Sequence, residues 1–304
     1  MNRNLLHSLA ILALAFIVGQ CELLTAQSGG IRISYPDPGA VGMTKTRGYE
    51  FSSIDYPGAY ASQVNDFNGK TALGCLNVIS SAFTFQGSYY VPLNIPGATY
   101  SCGYGINTSG EIVGVYVDSS NQGHGFLYDG IRYTTIVYPG SVATYPYGIN
   151  DTGLIVGHYT DSSNFEHGFL YGNGTFTAID FPGSVATSVY GINSSGNVVG
   201  IYSTAGIENS GFLLTNGSYY TIDFPEADET TPFGINDAGS IAGSYSKWEG
   251  NYFATHGFTY ADGVFIQVDV PGALVTSISH IDNKGNVVGT LWDSLGQTHG
   301  FIGR

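Results

Sequence analysis

The chain has 304 residues, and nine Lys or Arg stand against 23 Asp or Glu, for a formal net charge of −14. A field of that sign repels nucleic acid and anionic lipid surfaces, whose phosphates need clustered Lys and Arg. Charged residues make up only 11% of the chain while Gly numbers 44, Tyr 23 and Phe 17, a composition suited to short strands joined by tight turns rather than to a disordered acidic chain.

At the N-terminus, Met1–His7 carries Arg3, and Leu9–Val18 is an apolar run too short to cross a bilayer comfortably. Leu24-Thr25-Ala26 then places a small residue at a cleavage position, so 1–26 reads as a signal peptide cut after Ala26 and 27–47 as a lead-in. Cys21 follows the apolar run, but Gln20 precedes it where lipid attachment wants a small residue. No later stretch is apolar enough to span a membrane, and the expected location is secreted or periplasmic. Cys75 and Cys102 would then meet oxidising conditions, which leaves a single disulfide between them open.

From about Gly48 onward the chain repeats itself. Gly-Ile-Asn begins at Gly105, Gly148, Gly191 and Gly234, each 43 residues after the last. His-Gly-Phe begins at His124, His167, His256 and His299, with Ser210-Gly211-Phe212 filling the gap. Pro-Gly follows an apolar strand at Pro57, Pro96, Pro139, Pro182 and Pro271, with Pro225-Glu226 as a variant. A degenerate first copy holds Val64-Asn65, Ala72-Leu73-Gly74 and Ala82-Phe83, and the last reads His280-Ile281-Asp282. Each copy carries four strand-like runs, as in Phe176–Phe181, Thr187–Asn193, Asn197–Tyr202 and Gly211–Leu214, and no window has helical spacing. The stretch Asn150-Asp151-Thr152-Gly153 and its equivalents predict a type I turn closed by a left-handed Gly, with the Asn side chain capping it. In the first copy Asn65–Gly69 reads as this turn with one extra residue. Asp129-Gly130, Asn173-Gly174 and Asn216-Gly217 predict tight hairpins.

Four short antiparallel strands per unit of about 43 residues is a propeller blade, and six copies between 48 and 304 predict an all-β, six-bladed β-propeller. Ile106, Ile149, Ile192, Ile235 and Ile281 are expected between blades, with Phe126, Phe169, Phe212, Phe258 and Phe301. Gly114, Gly157 and Gly200 are expected where blades approach closely. The Gly-Ile-Asn strand, being Gly-rich, is expected nearest the axis. The first repeat strand, Phe51–Ile54, should complete the last blade beside His299–Ile302 and close the ring. On this layout Cys75 and Cys102 lie at similar depth on adjacent blades.

The runs His167–Tyr171, Ala178–Gly183 and Gly148–Gly157 resemble the HAF-repeat family of bacterial extracellular proteins, with Gly in place of the Ala of the family's name motif. The resemblance spans about Gly48 to Arg304. It implies export from a bacterium and a repeat-built all-β fold, and it implies no activity.

Candidate chemistry is sparse. The repeated His124, His167, His256 and His299 lie on a circle, whereas metal ligands must converge on one ion; the reading taken is that each opens a strand and bonds neighbouring backbone. Asp118–Asn121 and Asp161–Asn164 offer one carboxylate each, so they read as side-chain-capped turns rather than calcium loops. The Asn-x-Ser/Thr triplets at Asn107, Asn150, Asn173, Asn193 and Asn216 read as turn residues. A residue present in every copy is structural, so function is sought where the repeat breaks. The largest break is Ser246–Phe253, and the candidate ligand-binding residues are Trp248, Glu249, Tyr252 and Phe253. The acidic run Pro225–Glu229 is a smaller break, read as solvated.

The expected role is a secreted, non-catalytic, monomeric binding module for a glycan or an extracellular protein partner. No catalytic residue or resident cofactor is assigned, and calcium stays open. The alternatives are a propeller enzyme, such as a metal-dependent lactonase or a glycan hydrolase or lyase, and a purely structural matrix protein.

Overall fold

In a computed structural model, residues 48–76, 81–205 and 207–304 are described. The signal-peptide and lead-in readings, 1–26 and 27–47, lie outside them. The described residues contain strands and turns and no helix.

The strands form six four-stranded antiparallel sheets arranged as a six-bladed β-propeller. The first strand, β1 (Phe51–Ile54), stands apart from the blade that follows it. Blade 1 is β2 (Ser62–Phe67), β3 (Ala72–Leu76), β4 (Ala82–Gln86) and β5 (Tyr89–Pro92). Blade 2 is β6 (Ala98–Ile106), β7 (Ile112–Asp118), β8 (Gly123–Tyr128) and β9 (Tyr133–Ile136). Blade 3 is β10 (Ala143–Ile149), β11 (Ile155–Thr160), β12 (Glu166–Gly172) and β13 (Thr175–Ile179). Blade 4 is β14 (Ala186–Ile192), β15 (Val198–Thr204), β16 (Ile207–Thr215) and β17 (Ser218–Thr221). Blade 5 is β18 (Glu229–Ile235), β19 (Ile241–Glu249), β20 (Tyr252–Ala261) and β21 (Val264–Val268). Blade 6 is β22 (Val275–Ile281), β23 (Val287–Trp292) and β24 (Thr298–Gly303), completed by β1. The closing ladder pairs Phe51 with Gly303 and Ile54 with Gly300.

Each inner strand packs against the inner strands of both neighbours, so the Gly-Ile-Asn strands do surround the axis. The glycine of that motif makes the approach possible. A Cβ on Gly148 would stand 2.7 Å from the carbonyl oxygen of Tyr190 in the next blade, and one on Gly191 2.6 Å from that of Phe233. The expectation for Gly114, Gly157 and Gly200 is corrected: a side chain on Gly157 would strike Tyr145 and Pro146 of its own blade's inner strand. These glycines relieve crowding within a blade, because the inner strand bulges there toward its partner strand.

One phenylalanine per blade fills the space between sheets. Phe83, Phe126, Phe169, Phe212, Phe258 and Phe301 are all at most 1% exposed. Each lies opposite a Gly of the second strand, as Phe169 does Gly157. Burying one such ring contributes roughly 1.5–3 kcal/mol. The five repeat isoleucines, Ile106, Ile149, Ile192, Ile235 and Ile281, are buried as well.

Turn chemistry follows the sequence with one exception. Gly110, Gly153, Gly196, Gly239 and Gly285 take φ near +80° after their Asn or Asp, and the cap's Oδ1 accepts the backbone N–H four residues on, as Asn150 does from Leu154 at 2.9 Å. The exception is blade 1. Asp66 pairs with Leu73 and Phe67 with Ala72, which places Asn68, not Asn65, at the cap position and makes the turn shorter rather than longer. Two Asn residues stand three apart here, and spacing alone does not choose between them.

Candidate functional site

The inserted segment in blade 5 extends a hairpin. In blade 3 the β11–β12 ladder ends at Thr160 and Glu166, whereas β19–β20 continues through Lys247–Ala254, Trp248–Phe253 and Glu249–Tyr252. At about 3.3 Å per residue this carries the tip about 10 Å further. Alternation along the strands puts Trp248 and Phe253 on one face, their rings 5.3 Å apart. Glu249, Tyr252 and Lys247 lie on the other. The structure therefore brings all four sequence-predicted residues to one hairpin tip but divides them between its two faces. Trp248 is 49% exposed and Tyr252 62%. Glu249 accepts the Tyr252 hydroxyl at 3.0 Å and the Lys247 ammonium at 3.3 Å, and these contacts hold its carboxyl below the usual glutamate range. The Trp248 backbone N–H donates to Asp228 at 3.0 Å, so the acidic run at 225–229 braces the hairpin.

The repeated histidines bond carboxylates, and the backbone-bonding expectation is corrected. His167 stands 3.1 Å from Asp180 through Nδ1 and 3.7 Å from Asp161 through Nε2. His299 repeats this with Asp55 at 3.1 Å and Asp293 at 3.5 Å, and His256 with Asp269 at 2.9 Å and Glu249 at 3.5 Å. His124 keeps one partner, Asp118, at 3.0 Å. Asp118 and Asp161 do cap their turns through Oδ1, and Oδ2 is what remains for the imidazole. Asp55 dominates a net rise in the His299 pKa. Among the described residues no three His, Cys, Asp or Glu are grouped to hold a metal.

Sequence reasoning missed the axis itself. Every inner strand carries a β-bulge at the same point, between Pro146 and Gly148 in blade 3 and its equivalents elsewhere. The extra residue is left without a ladder partner and its side chain is re-aimed. These residues are Asn65, Tyr104, Tyr147, Tyr190, Phe233 and Ser279. Four are aromatic and their rings touch from blade to blade at 4.8, 5.1 and 5.2 Å, forming a collar around one side of the axis. Burial raises the hydroxyl pKa values of Tyr104, Tyr147 and Tyr190, helped by the neighbouring tyrosines or Glu166, so all three stay protonated.

On the turn face of the ring the cap residues form a relay. Asn68 donates its amide to the Asn107 carbonyl at 2.9 Å, Asn107 to Asn150 at 3.2 Å, Asn150 to Asn193 at 2.9 Å, Asn193 to Asn236 at 3.1 Å and Asn236 to Asp282 at 3.0 Å. Asp282 has no amide to pass on. The joint between blades 6 and 1 is bridged instead by His280 and Asp66, 2.9 Å apart. They occupy the register positions held by Gly105, Gly148, Gly191 and Gly234 in the other blades. Burial opposes a charge on His280, but Asp66 and Asp282 outweigh it and hold its pKa above the ordinary value. Above this ring lies an axial cavity of about 340 Å³, with the five isoleucines and Phe67 below and Lys70, Lys284, Asp151 and Asp237 around its mouth.

Cys75 of β3 is bonded to Cys102 of β6, with Cα atoms 4.9 Å apart, joining blades 1 and 2. Asn65 donates its amide to the Gly103 carbonyl beside this bridge at 2.8 Å.

No protein-family model and no curated protein matches the sequence. Solved structures do match by shape. AofleA from Arthrobotrys oligospora aligns with a TM-score of 0.54 at 14% identity, covering 89% of this chain and 91% of its own. The β-propeller domain of the Trilobed protease from Pyrococcus furiosus, described as having an open velcro topology, aligns with a TM-score of 0.50 at 11% identity over 81% and 94%. A mutant Aleuria aurantia lectin in complex with α-methyl-L-fucoside aligns at 0.47 and 13% identity over 80% and 91%. At such identities the likeness is one of fold. The ring described here differs from an open one in that β1 closes it. Among the described residues no helix is long and apolar enough to cross a membrane.

Proposed function

We propose that this propeller is an extracellular, non-catalytic binding module that takes a glycan on the extended blade 5 hairpin. The observation that carries the reading is the half-exposed Trp248, set against Phe253 on a hairpin that departs from the repeat. An aromatic face of this kind stacks on the C–H face of a sugar ring, and a polar edge orients it. Glu249, held ionised by Tyr252 and Lys247, supplies an acceptor for sugar hydroxyls at the hairpin's end. The repeated His with their carboxylate partners, and the capping Asn, are committed to one another and to turns, which leaves them to architecture. The HAF-repeat resemblance, resting on the motifs alone, agrees with an extracellular role.

A glycan array probed with wild type and Trp248→Ala tests this. Loss of a central aromatic anchor costs about 2 kcal/mol or more, so signals should fall at least about thirtyfold on every glycan bound. Equal signals from the two proteins remove the hairpin as the site. A wild type silent on glycans but retaining a protein partner through Trp248 would replace the ligand class.

A further inference from the structure

The axis departs from the repeat at one joint. Around four blades the axis is lined by Gly105, Gly148, Gly191 and Gly234 and by the collar of Tyr104, Tyr147, Tyr190 and Phe233. On the two blades that meet at the closure, His280 and Asp66 stand in the glycine positions and Ser279 and Asn65 in the collar positions. Directly above this polar wall, on adjacent turns, stand Lys70 and Lys284, both exposed.

The charges around the cavity are not equally engaged. Asp237 accepts the Ser194 N–H at 2.8 Å and the Asn283 amide at 2.7 Å. Asp151 accepts the Thr108 N–H at 2.9 Å, and Asp282 accepts two backbone N–H groups and the Asn286 amide. The ammonium groups of Lys70 and Lys284 make no ion pair among the described residues, in a chain of net charge −14. Lys247, by contrast, is paired with Glu249. Two uncommitted cations therefore share one wall of a cavity that also offers carboxylate oxygens with lone pairs to spare, from Asp151 on the blade 3 turn across the ring and from Asp237 on the blade 5 turn next to that of Lys284. The volume, about 340 Å³, lies at the small end of ligand pockets, which run roughly 300–1,000 Å³.

We propose that this cavity is a second binding site, separate from the blade 5 hairpin, for a saccharide unit that carries a carboxylate. The carboxylate pairs with Lys70 and Lys284 above the joint of blades 6 and 1. The sugar hydroxyls donate to Asp151 across the cavity and to Asp237 on the turn beside Lys284, and the ring's C–H face rests on the isoleucines below. A simple anion satisfies only the lysines and meets the carboxylates unrelieved, and a neutral sugar leaves the lysines unpaired. The lysines and the carboxylates together are matched only by a ligand holding both functions.

The experiment is titration calorimetry on the full mature chain with D-glucuronate, with D-glucose and acetate as the separated halves. Glucuronate should bind at least tenfold more tightly than either, and more weakly as salt rises, because exposed charges are screened. K70Q/K284Q should lose at least tenfold, while R132Q, which removes a positive charge far from the axis, should bind as wild type. Chemical shifts on adding glucuronate should move at Lys70, Lys284, Asp151 and Asp237. The proposal is overturned if K70Q/K284Q binds glucuronate as wild type does, or if acetate binds as tightly as glucuronate. It is equally overturned if the wild type shows no binding up to roughly 10 mM. Trp248 plays no part in these readouts, so failure here leaves the hairpin reading standing, and the reverse holds.

Discussion

The ring is made of two unlike parts. Through blades 2 to 5 each joint repeats one solution, in which a glycine admits the neighbouring carbonyl, an Asn amide crosses to the next turn and a bulged aromatic meets its neighbour. At the joint of blades 6 and 1 none of these survives in full. An ion pair replaces the glycines, Asp282 ends the relay, small polar residues replace the collar, and the chain's first strand completes the last blade. Repetition closes most of the circle by shape, while the final joint is closed by an ion pair and by β1 pairing with β24. The disulfide lies one joint along, between blades 1 and 2, where Asn65 braces it.

The comparison makes predictions of graded size. Ile54→Ala, at 2% exposure in the closing strand, should cost about 2–5 kcal/mol in denaturant unfolding. If it costs less than 1 kcal/mol, the β1 ladder is not what closes the ring. Cys75→Ser removes a crosslink of sequence separation 27 and should lower stability by about 3–4 kcal/mol, with the reduced wild type matching the mutant. Gly148→Ala overpacks a regular joint and should cost about 1–3 kcal/mol, since its Cβ meets a backbone carbonyl that cannot step aside. Asn193→Asp breaks the relay in the regular arc at a cost of about 1–3 kcal/mol, whereas the joint that already holds Asp282 tolerates that chemistry. Equal tolerance of an acid at both places would dissolve the distinction. The smallest effect concerns pH. His299 has a raised folded pKa, chiefly from Asp55, which follows the closing strand. Its contribution is present in full below the unfolded value of about 6.5 and is lost as pH rises through the folded value. The wild type should therefore lose stability across that rise relative to His299→Gln, and parallel pH curves for the two would refute the linkage.

Most of the architecture was legible because repetition multiplies weak signals. Gly-Ile-Asn at equal intervals located the inner strand, and the tight-turn glycines located the hairpins. The closure was legible too, since Phe51–Ile54 is the strand type that the last copy lacks. Three things were not. The bulge at Tyr147 is a count of residues on one strand against its partner, and a single strand's sequence does not carry that count. The partners of His167 stand on a hairpin turn before it and on a strand end after it, so proximity depended on the blade being built. Asn65 and Asn68 compete for one turn, and only pairing with β3 decides between them. The hairpin around Trp248 was found as an interruption of the period, but which residues share a face followed from the register of β19 and β20.

One further consequence attaches to β1. Its ladder to β24 runs over Phe51–Ile54 and is extended by a backbone pair between Glu50 and Arg304, and nothing in that pairing records which molecule supplies these residues. When β1 leaves its place it exposes an unpaired edge on β24, and the same edge on a second copy can receive it. The arrangement that makes a ring of one chain is thus also a latch between two. Conditions that loosen Asp55 from His299, or dense packing of the chain, should yield exchanged dimers whose blades are unchanged and whose closing strands have traded owners.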